Sequence, residues 1–366
     1  MAAEKMMVAL SGGVDSSVAA ACLVEQGVEV SAAYMKNWIN EDNILGDCPW
    51  QQDVEDAAAV AETLGIPFEV VNLMDAYKSR IVDYLLQGYE EGVTPNPDVM
   101  CNREIKFGVF RDWAKQRGFE MVATGHYARS RVGEHGDREI LTGRDPNKDQ
   151  TYFLAMMQPD QVQAARFPVG DLLKSEVRET ARRFGLPTAG KKDSQGICFI
   201  GQIRMSDFLA TYLPDEPGNI VSQSGEILGA HRGLHFYTLG QRKGIGVPSN
   251  VYKKSYVVVE KRKASRELVV AFDEPGTPNL YTDCCVISQL SFTGRPLTEA
   301  CTLQARPRYR APSVDIRYTP LPGGRARVEW SQPQRAIAKG QICALYEGEI
   351  LRGGGIYSGI GAEESD

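Results

Sequence analysis

The chain has few of the residues that build metal or disulfide scaffolds. Its 366 residues include eight cysteines and four histidines. No CxxC pair occurs, and Cys284 and Cys285 are adjacent, which suits neither a zinc pair nor an easy disulfide. A structural zinc site and a disulfide-stapled fold are therefore not expected, and no metal site is assigned. No run approaches the ~18 consecutive apolar residues of a membrane helix, so no membrane partner is expected. Met1–Lys5 leads straight into the apolar run Met6–Leu10, leaving no room for a signal or transit segment, and a cytoplasmic location is the expectation. Internal repeats and low-complexity segments are lacking too.

What is present is the composition of a globular chain, with 43% hydrophobic and 24% charged residues. The length suggests two or three domains, at roughly 100–200 residues each. Lys and Arg number 41 against 47 Asp and Glu, a net charge of −6. That mean argues against a nucleic-acid partner, but its distribution reverses the inference. Residues 1–100 carry 4 basic and 17 acidic side chains, a net of −13, whereas the remainder carries 37 and 30, a net of +7. The acidic excess is confined to the first part, and the basic remainder is free to meet nucleic acid.

Residues 1–125 alternate between strand and helix patterns. Met6–Leu10, Val28–Met35, Phe68–Asn72 and Met121–Thr124 read as strands, and Ser16–Gln26, Gln51–Leu64, Asp75–Tyr89 and Asn102–Arg117 as helices. Such alternation predicts an α/β domain with a parallel sheet covered on both faces. The stretch 126–200 is mixed, with a helix over Lys174–Phe184 and a loop over Gly190–Gly201; a short helix follows at Arg204–Leu213. Beyond about residue 220 the helical period disappears. A hairpin is predicted from Tyr256–Glu260 and Leu268–Phe272, and short strands at Val286–Leu290, Cys301–Ala305, Val314–Tyr318, Ala326–Trp330 and Ile342–Tyr346. That spacing suggests an all-β barrel or sandwich. Three parts result: an α/β domain over 1–202, a small central domain over 203–275 and a C-terminal β-barrel over 276–366.

Ser11-Gly12-Gly13-Val14-Asp15-Ser16-Ser17 lies between the first predicted strand and the first predicted helix. Glycines there let the backbone come close to a ligand, and the helix N-terminus offers free N–H groups to an anion. The hydroxyls of Ser11, Ser16 and Ser17 are candidate donors to phosphate. The loop has neither the lysine of GxxxxGK[ST] nor the GxGxxG of a dinucleotide fold. It resembles instead the PP-loop, SGGxDS, of the ATP pyrophosphatase superfamily, which implies ATP cleaved between its α and β phosphates. Asp15 is a candidate either to hold magnesium on the departing pyrophosphate or to cap the helix.

Two cysteines stand in unusual settings. Thr94-Pro95-Asn96-Pro97-Asp98-Val99-Met100-Cys101-Asn102 ends a loop and opens a helix. A thiol at such an N-terminus is expected to have its thiolate stabilised by the helix dipole, with Arg103 and Lys106 acting in the same direction and Asp98 available as a base. Cys198 lies in the glycine-bounded loop Gly190–Gly201, where Lys191 and Lys192 would again favour the thiolate. Spacing alone does not bring the two cysteines together. Cys22, Cys48, Cys284, Cys285, Cys301 and Cys343 read as packing thiols.

TPNPDxxCNxxIKF from Thr94, DSxGICFIG from Asp193, ATGHYAR (Ala123–Arg129), NKDQTYFL (Asn147–Leu154) and LGQRKGIG (Leu239–Gly246) follow in order, with Gly353–Gly355 at the far end. Together with the glycine loop they resemble the bacterial tRNA-specific 2-thiouridylase family. The resemblance implies ATP-dependent 2-thiolation of the wobble uridine of tRNA, with sulfur delivered as a persulfide from a sulfur-carrier or desulfurase-derived donor protein. It further implies that Ala9, Leu10, Ser11, Gly12, Gly13, Val14, Asp15, Ser16, Met35 and Gly125 contact ATP. Cys101 would be the nucleophile, Cys198 the persulfide carrier and Asp98 a general base, with a Cys101–Cys198 disulfide left after transfer. Asn96, Pro97 and Asp98 would hold the target base, and His126, Lys148, Asp149, Gln150, Arg308, Tyr309 and Gln341 would touch the tRNA. Asp98, Cys101 and Cys198 also offer an iron–sulfur site, but two cysteines are fewer than cluster sites use, and the persulfide route is favoured. The alternative reading is another PP-loop adenylating ligase acting on a small carboxylate. A tRNA-binding protein that has lost activity is opposed by the intact loop and both cysteines.

Overall fold

The computed structural model describes residues 5–38, 50–192, 205–248, 251 and 254–361. The first part holds, in order, β1 (Lys5–Ala9), α1 (Val14–Glu25), β2 (Glu29–Lys36), α2 (Trp50–Leu64), β3 (Phe68–Asn72), α3 (Met74–Tyr77), α4 (Asp83–Glu91), α5 (Pro97–Met100), α6 (Phe110–Lys115), β4 (Met121–Ala123), β5 (Ala128–Val132), β6 (Arg138–Thr142), α7 (Pro159–Ala164), β7 (Ala165–Arg166) and α8 (Lys174–Arg183). Wider π-helical stretches, Lys78–Val82 and Cys101–Val109, join α3 to α4 and α5 to α6. Then come α9 (Met205–Tyr212), β8 (Gly218–Ser222), β9 (Ile227–His231), β10 (Tyr256–Arg262) and β11 (Glu267–Phe272). Last are β12 (Tyr281–Phe292), β13 (Cys301–Arg306), β14 (Val314–Leu321), β15 (Arg325–Arg335), β16 (Ile342–Glu347) and β17 (Ile350–Ile360).

The predicted parallel sheet is present, in the order β3-β2-β1-β4-β7. Side chains alternate across a strand, and β1 shows the consequence. Met6 and Val8 pack with Val18, Val60 and Val177 on one face, Met7 and Ala9 with Ile81, Leu85, Phe107 and Phe110 on the other. Helices cover both faces, which is why β1 reads as an unbroken apolar run rather than an alternating one. Among the described residues no helix is long and apolar enough to cross a membrane.

The central segment forms a four-stranded sheet, β10-β11-β8-β9, over a small core of Ile220, Tyr237, Ile245, Val258, Leu268 and Val270. β10 and β11 are the predicted hairpin. In the last part β12, β15, β14, β13, β16 and β17 pair in succession, and β12 pairs back onto β17 to close a six-stranded barrel. β16 is buried on both sides: Cys343 and Leu345 fill the barrel, while Ile342, Ala344 and Tyr346 join the core of the α/β part. Each apolar side chain of Leu or Ile size so buried contributes about 1.5–3 kcal/mol.

One strand pairing crosses the division read from sequence pattern. β5 and β6 form a hairpin within the stretch read as mixed, and β6 pairs with β17, extending the barrel sheet to eight strands. β5 is Ala-Arg-Ser-Arg-Val with only Ala128 buried, so it carried too few apolar residues for its alternation to show.

Candidate active site

The glycine heptad makes the turn from β1 into α1. Gly13 is the N-cap, and among the described residues no side chain caps the helix, so its first-turn N–H groups stand open to a ligand at the positive end of the dipole. Gly12 has φ +71°, and a Cβ there would lie 2.4 Å from the Asp53 carbonyl oxygen, so only glycine fits. Ser16 and Ser17 donate their hydroxyls to the Gly13 carbonyl at 3.0 and 2.8 Å, and both residues are buried. Without a ligand these two hydroxyls shape the loop. Ser11 remains exposed, its Oγ 3.1 Å from that of Ser16.

Asp15 does not cap the helix either. Its Oδ1 accepts from the Tyr127 hydroxyl and from Lys174 Nζ, each at 2.7 Å. Lys191 Nζ donates to the Gly12 carbonyl at 2.9 Å, to Asp53 Oδ1 at 2.7 Å and to Asp56 Oδ2 at 2.5 Å. The three ammonium protons of Lys191 are thus directed at the glycine loop and α2. Ala9 and Leu10 lie buried at the end of β1, Met35 half-buried near the end of β2, and Gly125 beyond β4 against the backbone of Asp15 and Ser16. All the residues expected to meet ATP gather at the carboxyl ends of β1, β2 and β4, where open α/β sheets take ligands. The open amides suit a polyphosphate, while Lys174 and Lys191 beside them are paired with Asp15 and with Asp53 and Asp56.

The second loop is built differently. Asn96 caps α5, its Oδ1 accepting from the Val99 N–H at 3.2 Å, and Pro97 holds the first helical position. The helix therefore begins at Pro97, not at Asn102 as its apolar spacing suggested. Cys101 sits one turn inside it, past the reach of the dipole's main effect, and is 1% exposed. Cys101 thus lies one turn inside the helix, while Pro97 and the half-buried Asp98 occupy its end. Cys198, its expected disulfide and its share of an iron–sulfur ligand set lie outside the described residues, as does Cys48. Among the described residues no group of three His, Cys, Asp or Glu is arranged to hold a metal ion.

The residues expected to touch tRNA collect at the seam between the α/β part and the barrel. His126 is buried, with Nδ1 2.8 Å from Thr124 Oγ1 and its ring edge-on to Phe167. Burial, reinforced by the charge of Lys106, holds its pKa well below the ordinary 6.5. Asp149 is also buried. It accepts from the Gly143 N–H at 2.9 Å and from the Thr151 hydroxyl at 3.0 Å, and it pairs with Arg306 on β13. Gln150 Oε1 accepts from the Tyr127 N–H at 3.0 Å, and Lys148 is half-buried. The Tyr309 ring packs 4.3 Å from that of Phe153, while Arg308 is exposed and donates to the Arg335 carbonyl at 2.8 Å. Gln341 turns its amide onto the Thr94–Pro95 backbone. Sequence reasoning missed Tyr127, Lys174, Thr238 and Arg306. Tyr127 stood inside the ATGHYAR motif, but no spacing rule ties Lys174 to Asp15 across 159 positions.

A strand–SGGxDS–helix junction at the carboxyl edge of a parallel sheet, carried with two β domains, defines the class: a PP-loop nucleotide-binding enzyme. Domain profiles match along the chain, the tRNA methyl transferase HUP domain over residues 4–202, the tRNA methyl transferase PRC-barrel domain over 206–272 and the aminomethyltransferase beta-barrel domain over 282–357. The tRNA-specific 2-thiouridylase MnmA of Akkermansia muciniphila is 55% identical over 356 residues, 97% of this chain and 99% of its own length. The protein of that name from Chromohalobacter salexigens is 44% identical over 96% of this chain and 92% of its own. MnmA 1 of Geobacillus kaustophilus is 42% identical over 98% and 97%. The chain belongs to the tRNA-specific 2-thiouridylase family.

Proposed function

We propose that this protein uses ATP to replace the C2 oxygen of the wobble uridine of tRNA with sulfur. The observation that carries the reading is the open N-terminus of α1 with Lys174 and Lys191 beside it, in a chain that keeps both loop cysteines.

The phosphates of ATP would lie on the amides of Gly13–Ser16, flanked by Ala9, Leu10, Ser11, Gly12, Met35 and Gly125. Asp15 is the loop's own carboxylate for magnesium on the pyrophosphate. A uracil C2 carbonyl is a poor electrophile, and adenylating its oxygen creates a leaving group as pyrophosphate departs into the loop. Asn96, Pro97 and Asp98 would hold the base, with Asp98 able to take a proton. The terminal sulfur of a Cys198 persulfide would attack C2 and expel AMP, after which the Cys101 thiolate attacks the Cys198 sulfur and breaks the S–S bond, freeing the thiouridine. In the other order Cys101 attacks the Cys198 sulfur first, and the sulfide it displaces attacks C2 and expels AMP. Either way Cys101 and Cys198 end as a disulfide that an external thiol must reduce. A persulfide donor protein and a cytoplasmic setting complete the reading. Because Cys101 is buried, tRNA binding must uncover it.

Incubation of the purified protein with ATP, a persulfide donor and undermodified tRNA, followed by nucleoside mass spectrometry, should yield 2-thiouridine and an equivalent of AMP. AMP formed on a small carboxylate, with no 2-thiouridine, would establish the ligase alternative instead.

A further inference from the structure

We infer that Gly340 and Gln341 of the barrel, with Thr238 of the central domain, are positioning residues for the segment that carries Asp98 and Cys101. The catalytic consequence rests on the thiolation reading; the mechanical content does not. Residues 94–97 read Thr-Pro-Asn-Pro, so half of them have no N–H to donate, and the segment has little means of holding itself through its own backbone.

Its partners come from the other two parts of the molecule. The Thr94 N–H donates to the Lys339 carbonyl at 2.8 Å. Gln341 Nε2 donates to the Thr94 carbonyl at 2.8 Å and the Pro95 carbonyl at 3.2 Å, and its Oε1 lies 3.5 Å from Asn96 Nδ2. Asn96 is the residue that caps α5, the turn leading directly into Cys101. The Thr94 hydroxyl lies 3.1 Å from that of Thr238. Gly340 has φ +89°, and a Cβ there would come within 2.9 Å of the Thr94 carbonyl group. The barrel side of the grip is itself anchored on β17, since Gly340 N–H donates to the Tyr357 carbonyl at 3.0 Å and Tyr357 N–H to the Gln341 carbonyl at 2.9 Å.

Constraint thus passes from the barrel through Gln341 to Thr94 and Pro95, then to the Asn96 cap and the helix bearing the thiol. Both amide protons of Gln341 are engaged in that grip, so a tRNA contact from the same amide would require it to let go of the loop. Its primary role is to hold the loop.

The test uses the full-length protein with Gln341→Ala, Gln341→Glu and Thr238→Val. Amide exchange of the 93–101 peptide is measured without ATP or tRNA. Thiolation is measured as kcat and as KM for tRNA, with thermal unfolding as a control. Gln341→Ala and Gln341→Glu should speed exchange in that peptide at least tenfold, lower kcat tenfold or more and leave KM for tRNA within twofold. Thr238→Val, which removes one bond from a different domain, should give the same signs at two- to fivefold. If Gln341→Ala and Gln341→Glu prove poorly folded, Thr238→Val decides: unchanged exchange and kcat refute the grip. A raised KM with unchanged kcat and unchanged exchange would make Gln341 a tRNA contact and overturn the proposal. Should even the unaltered protein fail to thiolate tRNA, the thiolation reading falls, and the exchange data alone still decide the mechanical claim.

Discussion

The glycine loop and the proline loop each lead into a helix at one edge of the same domain, yet they are stabilised in opposite ways. The glycine loop is complete within its own domain. Its serines bond to Gly13, Asp53 packs on Gly12, and Lys191 and Lys174 come from the same α/β part. Its backbone amides are left open, as a site for a small diffusible anion needs. The proline loop is held from outside, by Lys339, Gly340 and Gln341 of the barrel and Thr238 of the central sheet, and the thiol beyond it is covered. On the proposed reading one loop takes a ligand small enough for a single domain to recognise, and the other serves a macromolecular substrate; the order of the second depends on how the domains dock.

The largest effects should separate the two loops completely. Cys101→Ser and Cys198→Ser are each expected to abolish 2-thiouridine formation by mass spectrometry while leaving ATP affinity, read by calorimetry, within twofold. Normal product from either variant would remove that cysteine from the chemistry. Gly12→Ala forces a left-handed backbone onto alanine and drives a methyl against the Asp53 carbonyl. ATP affinity should fall about 100-fold, while amide exchange of the 93–101 peptide stays unchanged. A parallel change in that peptide would erase the distinction between the loops.

Two stability measurements sharpen the comparison further. Asp149→Asn leaves Arg306 facing the barrel seam without its carboxylate, at a cost of about 3 kcal/mol by denaturant unfolding. A loss below about 0.5 kcal/mol would mean that this pair does not fasten the seam. Lys261 supports the Thr238 side, donating to the Tyr237 carbonyl at 3.1 Å, and burial lowers its pKa from 10.5 to about 8. Between those values the unfolded chain binds more protons than the folded one, so stability should rise as the pH goes from about 8 to 10.5. Lys261→Met should flatten that rise, which is expected to be on the order of 2 kcal/mol. An unchanged slope would show that Lys261 is not responsible.

Much of the architecture was legible because burial writes a local period into the chain. β1 to β4, α1, α2 and most barrel strands announced themselves through apolar spacing, and the SGGxDS turn through glycines and hydroxyls at a strand-to-helix junction. The β5–β6 hairpin escaped because almost nothing on β5 is buried. The start of the Cys101 helix escaped because its first turn is set by an Asn cap and a proline rather than by apolar repeats. His126 and Asp149, two of the residues expected to touch tRNA, are buried in the absence of a partner. Their motifs record chemical character without saying whether a partner domain covers them.

Residue order alone therefore determined the parallel sheet, the anion-binding turn, the β character of the last third and the reaction class the motifs resemble. Each depends on neighbours within a few positions, where helix and strand geometry dictate who meets whom. The tertiary structure alone decided that Lys174 meets Asp15, that Arg306 meets Asp149 and that Gln341 grips Thr94 and Pro95 across 247 and 246 positions. Contacts so distant along the chain leave no period to read, because they arise only when separately folded surfaces dock.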